Sequence, residues 1–110
     1  MTALAERNDT FRTSLGRDPS VPGRVVMTHG VSAQGDGFVR RAVGQTLAFA
    51  TFTEENDPYG HRDFGRFEIE GTAVYWKSDL YENDEMEYGA EDPLAAETFR
   101  VLTILLATEY

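Results

Sequence analysis

Leu4, Phe11 and Leu15 fall near one face of a helix from about Ala3 to Leu15, which Gly16, Pro19, Pro22 and Gly23 then end. Arg24 to Thr28 is a short β-branched run bounded by glycines and reads as a strand. The helical period returns with Val39, Ala42, Val43, Thr46, Leu47 and Ala50, leaving Arg40, Arg41 and Gln45 to face water. From Phe64 the period changes to two. Phe67 and Ile69 alternate with Arg66, Glu68 and Glu70, Gly71 supplies a turn, and Val74, Trp76 and Ser78 alternate with Ala73, Tyr75 and Lys77. This predicts a hairpin with one buried face. Asp92 reads as an N-cap with Pro93 at the first helical position. Leu94, Phe99, Val101, Leu102, Ile104, Leu105, Leu106 and Ala107 would then form a helix apolar nearly all round, and so central to the core. The order α-β-α-β-β-α predicts a small α+β domain with helices packed on a short sheet.

At 110 residues the chain fits one domain, residues 1–110, with room for one hydrophobic core. Hydrophobic residues at 41% and charged residues at 26% are ordinary for a folded protein. The absence of cysteine removes disulfides, thiolate catalysis and cysteine-ligated zinc, and suits a reducing compartment. The longest strongly apolar stretch, Val101 to Ala107, is too short to cross a bilayer, and no apolar signal core is present at the N-terminus. The expectation is a cytoplasmic protein without membrane contact.

Charge changes the picture more. The net charge is −9, and between Phe67 and Glu97 ten acidic residues face one base, Lys77, while the rest of the chain balances. Such a field repels nucleic acid and anionic membranes and attracts basic protein surfaces. From Asp79 to Asp92 the chain places Asp79, Glu82, Asp84, Glu85, Glu87, Glu91 and Asp92 among Tyr81, Met86 and Tyr88, with no base. Those acids, with Tyr81 and Tyr88, are the candidate partner-binding residues. Were the segment extended, side chains two apart would lie on one side about 6.6 Å from each other, close to the spacing of successive phosphates. The segment thus predicts a nucleic-acid mimic that occupies the basic groove of a protein; a homodimer is equally compatible with the sequence.

Catalytic signatures are missing. Ser14, Ser20, Ser32 and Ser78 lie in no Gly-x-Ser-x-Gly elbow or Ser-x-x-Lys pair, and no Walker or Rossmann glycine pattern occurs. No catalytic residue, cofactor or metal ligand is assigned. Asp57-Pro58-Tyr59-Gly60 carries turn chemistry. Asn56, Asp57 and Asp63 form a dense polar motif of unknown role which, with Asp79, supplies the oxygen ligands of an alternative reading: a metal- or small-ligand-binding domain, or a small enzyme, built on Asn56–Gly65. Direct nucleic-acid binding through Arg24, Arg40, Arg41, Arg62 and Arg66 is disfavoured by the global charge.

The stretch NDPYGHRDFG at 56–65, the segment Val74 to Tyr81 with its Tyr-Trp-Lys core, Asp92-Pro93 and the closing RVLTILLATEY resemble a bacterial family catalogued as domain of unknown function 3768. Asn8, Phe11 and Arg12, the strand Gly23 to Thr28 with Gly30-Val31 after it, and Phe49 with Phe52 fall in the same order as similar residues there, so the resemblance covers almost the full chain. It implies no activity. It does imply small alphaproteobacterial proteins on plasmids, phages and other mobile genetic elements, a setting that favours anti-defence roles such as anti-CRISPR or anti-restriction inhibition. The partner expected is therefore a nuclease or CRISPR effector. The family pattern Gly-Glu-His-Asp-Phe-Gly departs here: Gly60 is followed by His61, Arg62, Asp63, Phe64 and Gly65, so a Glu-His-Asp cluster would keep only Asp63 in register.

Overall fold

The computed structural model describes residues 1–110 as two layers, three helices lying on one face of a four-stranded sheet. Helix α1 spans Ala3–Ser14, its N-terminus capped by the Thr2 hydroxyl and its end turned by Leu15 at φ 51°. Strand β1 covers Gly23–Met27. Thr28, expected at the end of that strand, instead caps a one-turn helix α2, His29–Ser32, by accepting from the Val31 amide at 3.4 Å. Helix α3 occupies Asp36–Ala48. The hairpin forms as its period of two requires, β2 at Phe64–Ile69 and β3 at Thr72–Tyr81, joined by Glu70 and Gly71, both at positive φ. Positive φ at both central residues is the turn geometry that matches strand twist, and the second position falls on glycine.

The last element corrects the sequence reading. Phe99–Leu106 is a strand, β4, and not a helix. It lies inside the sheet, parallel to β1 and antiparallel to β3, in the order β1-β4-β3-β2. Arg100, Leu102 and Ile104 point to the helices, while Val101, Thr103 and Leu105 point to the other face. β4 is flanked on both edges, and although its burial alternates, its less buried face also carries Val101 and Leu105, so the segment reads as one apolar run, which periodicity cannot tell from a buried helix. Nor does Asp92-Pro93 start a helix. The Asp92 carboxylate accepts from the Leu94 amide at 2.9 Å, and its carbonyl accepts from Ala95 N at 3.2 Å and the Thr98 hydroxyl at 2.7 Å, so the cap closes a tight turn leading into β4.

The core lies between α1, α3 and the sheet, around Phe11, Val31, Ala42, Val74, Trp76, Leu102 and Ile104, all fully buried. Helix α1 buries Ala5, Asn8, Phe11 and Arg12, so half of its inward face is polar. Arg12 donates to the carbonyls of Thr46, Leu47 and Phe49 at the end of α3, pairs with Asp9 at 3.0 Å, and lies 5.1 Å over Trp76 and 5.5 Å over Phe52. One cation thereby satisfies carbonyls that the last turn of a helix leaves without partners. Asn8 donates to the His61 carbonyl at 2.9 Å and accepts from Arg100 Nε at 2.8 Å, tying α1 to the 56–65 segment and to β4. Arg100 is wholly buried without a carboxylate beside it; burial first, and then Arg7, bring its pKa down to about 10.

Candidate functional site

The acidic segment begins on β3 and leaves the sheet as a closed loop. Tyr81 bridges Gly89, the Glu82 amide donates to the Tyr88 carbonyl at 2.9 Å, and the Ala90 amide donates to Leu80 at 3.0 Å, so both ends are stapled. Within the loop the Asn83 side chain accepts from the Glu85 amide at 2.9 Å, and Met86 takes φ 58°. These turns replace the extended chain that phosphate-like spacing requires: only Asp79 and Tyr81 lie on a strand. Glu82, Asp84, Glu85, Glu87, Glu91, Asp92 and Glu97 are all exposed, and none has a basic side chain within 4.0 Å; Asp79 alone is paired, to Lys77 at 3.3 Å. Tyr88 is 64% exposed among them. Two shallow hollows adjoin the loop and share Glu97: one of about 200 Å³ carries Glu82, Glu91 and Asp92, the other of about 330 Å³ carries Asp84 and Phe99. The structure therefore gathers the predicted partner-binding residues around one lobe, with Glu97 added by folding.

The polar motif at 56–65 is used by the fold. Asn56 accepts from the Thr53 amide at 2.8 Å and donates to the Thr51 carbonyl at 2.8 Å, closing its own turn. The Asp57 carboxylate accepts from the Arg62 amide at 3.1 Å. Arg62 takes φ 54°, pairs with Asp9 at 2.8 Å and stacks 4.7 Å over Phe52. His61 faces Tyr59 in a stacked pair. Asp63 is half-buried, and its carboxyl is pushed up from 3.8 by burial first, with Asp57 and Asp79 adding in the same direction against His61. Those groups sense one another, yet no three His, Asp or Glu side chains in the molecule stand together as metal ligands.

The five arginines do not form one patch, although Arg41 and Arg66 line a common groove. Arg24 and Arg66 lie on the opposite edge strands, Arg41 pairs with Glu70 at 3.0 Å, and Arg62 is held by Asp9. What sequence reading missed is the largest cavity, about 600 Å³, between α3 and β2. Its ionisable lining residues are Arg41 and Arg66, and Phe49 and Phe67 add apolar surface. The signal available was the unexplained pair of small residues, Gly44 and Ala48, one turn apart on α3.

Fold and site define a one-sided α+β sheet domain bearing an unpaired acidic lobe. The chain belongs to the family described as protein of unknown function (DUF3768), whose model matches residues 27–109. No curated protein and no solved structure matches it. No helix is long and apolar enough to cross a membrane.

Proposed function

We propose that this protein acts by contact, presenting the 79–97 lobe to the basic, nucleic-acid-binding surface of another protein, and that the partner is an enzyme of a nucleic-acid-targeting defence system, such as a restriction nuclease or a CRISPR effector. The observation that carries this reading is the set of seven exposed carboxylates without counter-ions, four of them (Glu82, Asp84, Glu85 and Glu87) on a loop whose two ends are stapled together and three (Glu91, Asp92 and Glu97) on the segment that follows it. Carboxylates left without internal bases maintain a negative potential that speeds encounter with a cationic partner and rejects anionic ones. Tyr81 and Tyr88 add the amphipathic contact area on which protein interfaces depend. Mimicry here rests on charge density over a compact lobe and not on a regular phosphate-like repeat.

The test compares wild type with the variant carrying Glu82→Lys, Asp84→Lys, Glu85→Lys and Glu87→Lys as affinity baits in host lysate at low and moderate salt, followed by competition of the captured enzyme with labelled duplex. A nucleic-acid-binding enzyme captured by wild type, released by salt and by duplex, and lost to the variant is the expected result. Capture of the same proteins by the charge-reversed bait would sink the reading.

A further inference from the structure

We infer that the groove between α3 and β2 binds a second ligand class, an extended peptide that adds to the sheet as a fifth strand, with apolar side chains turned into the cavity and carboxylates toward its arginines. Three independent observations converge on it. β2 is an edge strand, and no backbone group of residues 64–69 bonds to any other part of the chain beyond its ladder with β3. A free edge of that length offers a row of donors and acceptors that only another extended backbone satisfies in register. The cavity of about 600 Å³ runs beside that edge over Phe49 and Phe67, a volume and lining suited to the side chains of a docked strand. Finally, Gly44 stands in the middle of α3, where a Cβ would meet nothing within 4 Å. Glycine inside a helix costs about 1 kcal/mol relative to alanine, and no neighbour in this chain calls for it. Close approach of an outside backbone does.

Charge selects the occupant. In a chain of net charge −9, the ionisable residues lining this groove are both cations, Arg41 and Arg66. Each is paired to a well-exposed glutamate, Arg41 to Glu70 and Arg66 to Glu68. Exposed pairs of this kind are weak, so a ligand carboxylate can take the place of the glutamate at little cost. A second copy would have to bring its own β2, and two-fold pairing about Phe67 would set Arg66 against Glu68 of the other copy, so sedimentation is used to separate that occupant. The surface is distinct from the acidic lobe and does not depend on the function proposed above.

The experiment pans a displayed library of random nonapeptides on the folded wild-type protein, on Gly44→Leu, which fills the groove from an exposed helix position, and on Arg41→Glu. Circular dichroism and thermal melting establish that both variants fold. The expected result is enrichment on wild type of peptides alternating apolar residues with Asp or Glu. Synthetic copies should lose at least about tenfold in affinity on each variant, and they should slow hydrogen exchange of amides within 64–69. No enrichment, or enriched peptides that bind Gly44→Leu as well as wild type, overturns the inference. So does a dimer in sedimentation that Gly44→Leu dissolves, which would assign the groove to a second copy. Basic peptides that bind both groove variants and fail on the lysine-reversed lobe would also overturn it, while leaving the acidic-lobe reading intact.

Discussion

Arg12 shows how one side chain organises this molecule. Its guanidinium closes the carbonyl end of α3, pairs with Asp9 and lies against Trp76 and Phe52, all from a nearly inaccessible position. Arg12→Met leaves three carbonyls without this donor, and is expected to cost about 3–5 kcal/mol in urea unfolding. Arg12→Lys should recover little of that, because a point charge cannot reproduce the planar fork. Two carboxyls give opposite pH signatures. Glu109 accepts first from the Thr28 hydroxyl and then from the Leu106 amide, with Gly30 contributing, and its pKa lies below its ordinary value of 4.5. Its stabilising contribution is therefore full above that value and lost as pH falls through the lowered folded value; Glu109→Gln should remove this acid-side dependence and speed exchange at the Leu106 amide. Asp63 has the opposite sign. Its raised pKa means that stability falls as pH rises from 3.8 through the folded value, so Asp63→Asn should be more stable than wild type at neutral pH, as read by melting temperature.

At the scale of elements, β4 is decisive. Leu102 is fully buried on a central strand, and Leu102→Ala is expected to cost about 3–4 kcal/mol in chemical unfolding. Gly65 sets the approach of β2 to the core: a Cβ there would collide with Trp76 Nε1, so Gly65→Ala must displace the indole and is expected to lose about 1–3 kcal/mol. Gly44 predicts the reverse. Gly44→Ala meets open space in a helix and should gain about 0.5–1 kcal/mol, a gain that matters because it marks a position where local stability is not what the sequence optimises.

Over the whole molecule, helices cover one sheet face and the carboxylates gather at one end of the other layer. Reversing Glu82, Asp84, Glu85 and Glu87 to lysine takes the net charge from −9 to −1 and removes no internal ion pair. The fold should therefore survive or gain slightly in thermal melting at low salt, while salt-sensitive association with cationic partners disappears.

Much of this was legible along the chain. The turn after α1, β1, α3 and the β2–β3 hairpin follow from spacing, glycine and proline placement, because periodicity records the boundary between a buried and an exposed side. Helix α1 was legible as a helix, but of Leu4, Phe11 and Leu15 only Phe11 is buried. The acidic segment was equally legible, since charge composition does not depend on packing, but its closed, turned path was not. Three things waited for tertiary structure. Phe99–Leu106 became a strand because neighbours on both edges pair its backbone, and apolar residues on its less buried face, Val101 and Leu105, hide the alternation of burial from the sequence. Asn8, Arg12 and Arg62 became core and clamp residues through partners up to 92 positions away, which sequence spacing does not encode. The groove beside β2 exists because α3, the segment after it and β2 come together to line it. The sequence by itself thus determined the local elements and the sign of the protein's field; the tertiary structure alone decided which strand is central, which charges are buried, and which edge is left open, because these are set by contacts between residues far apart in the chain.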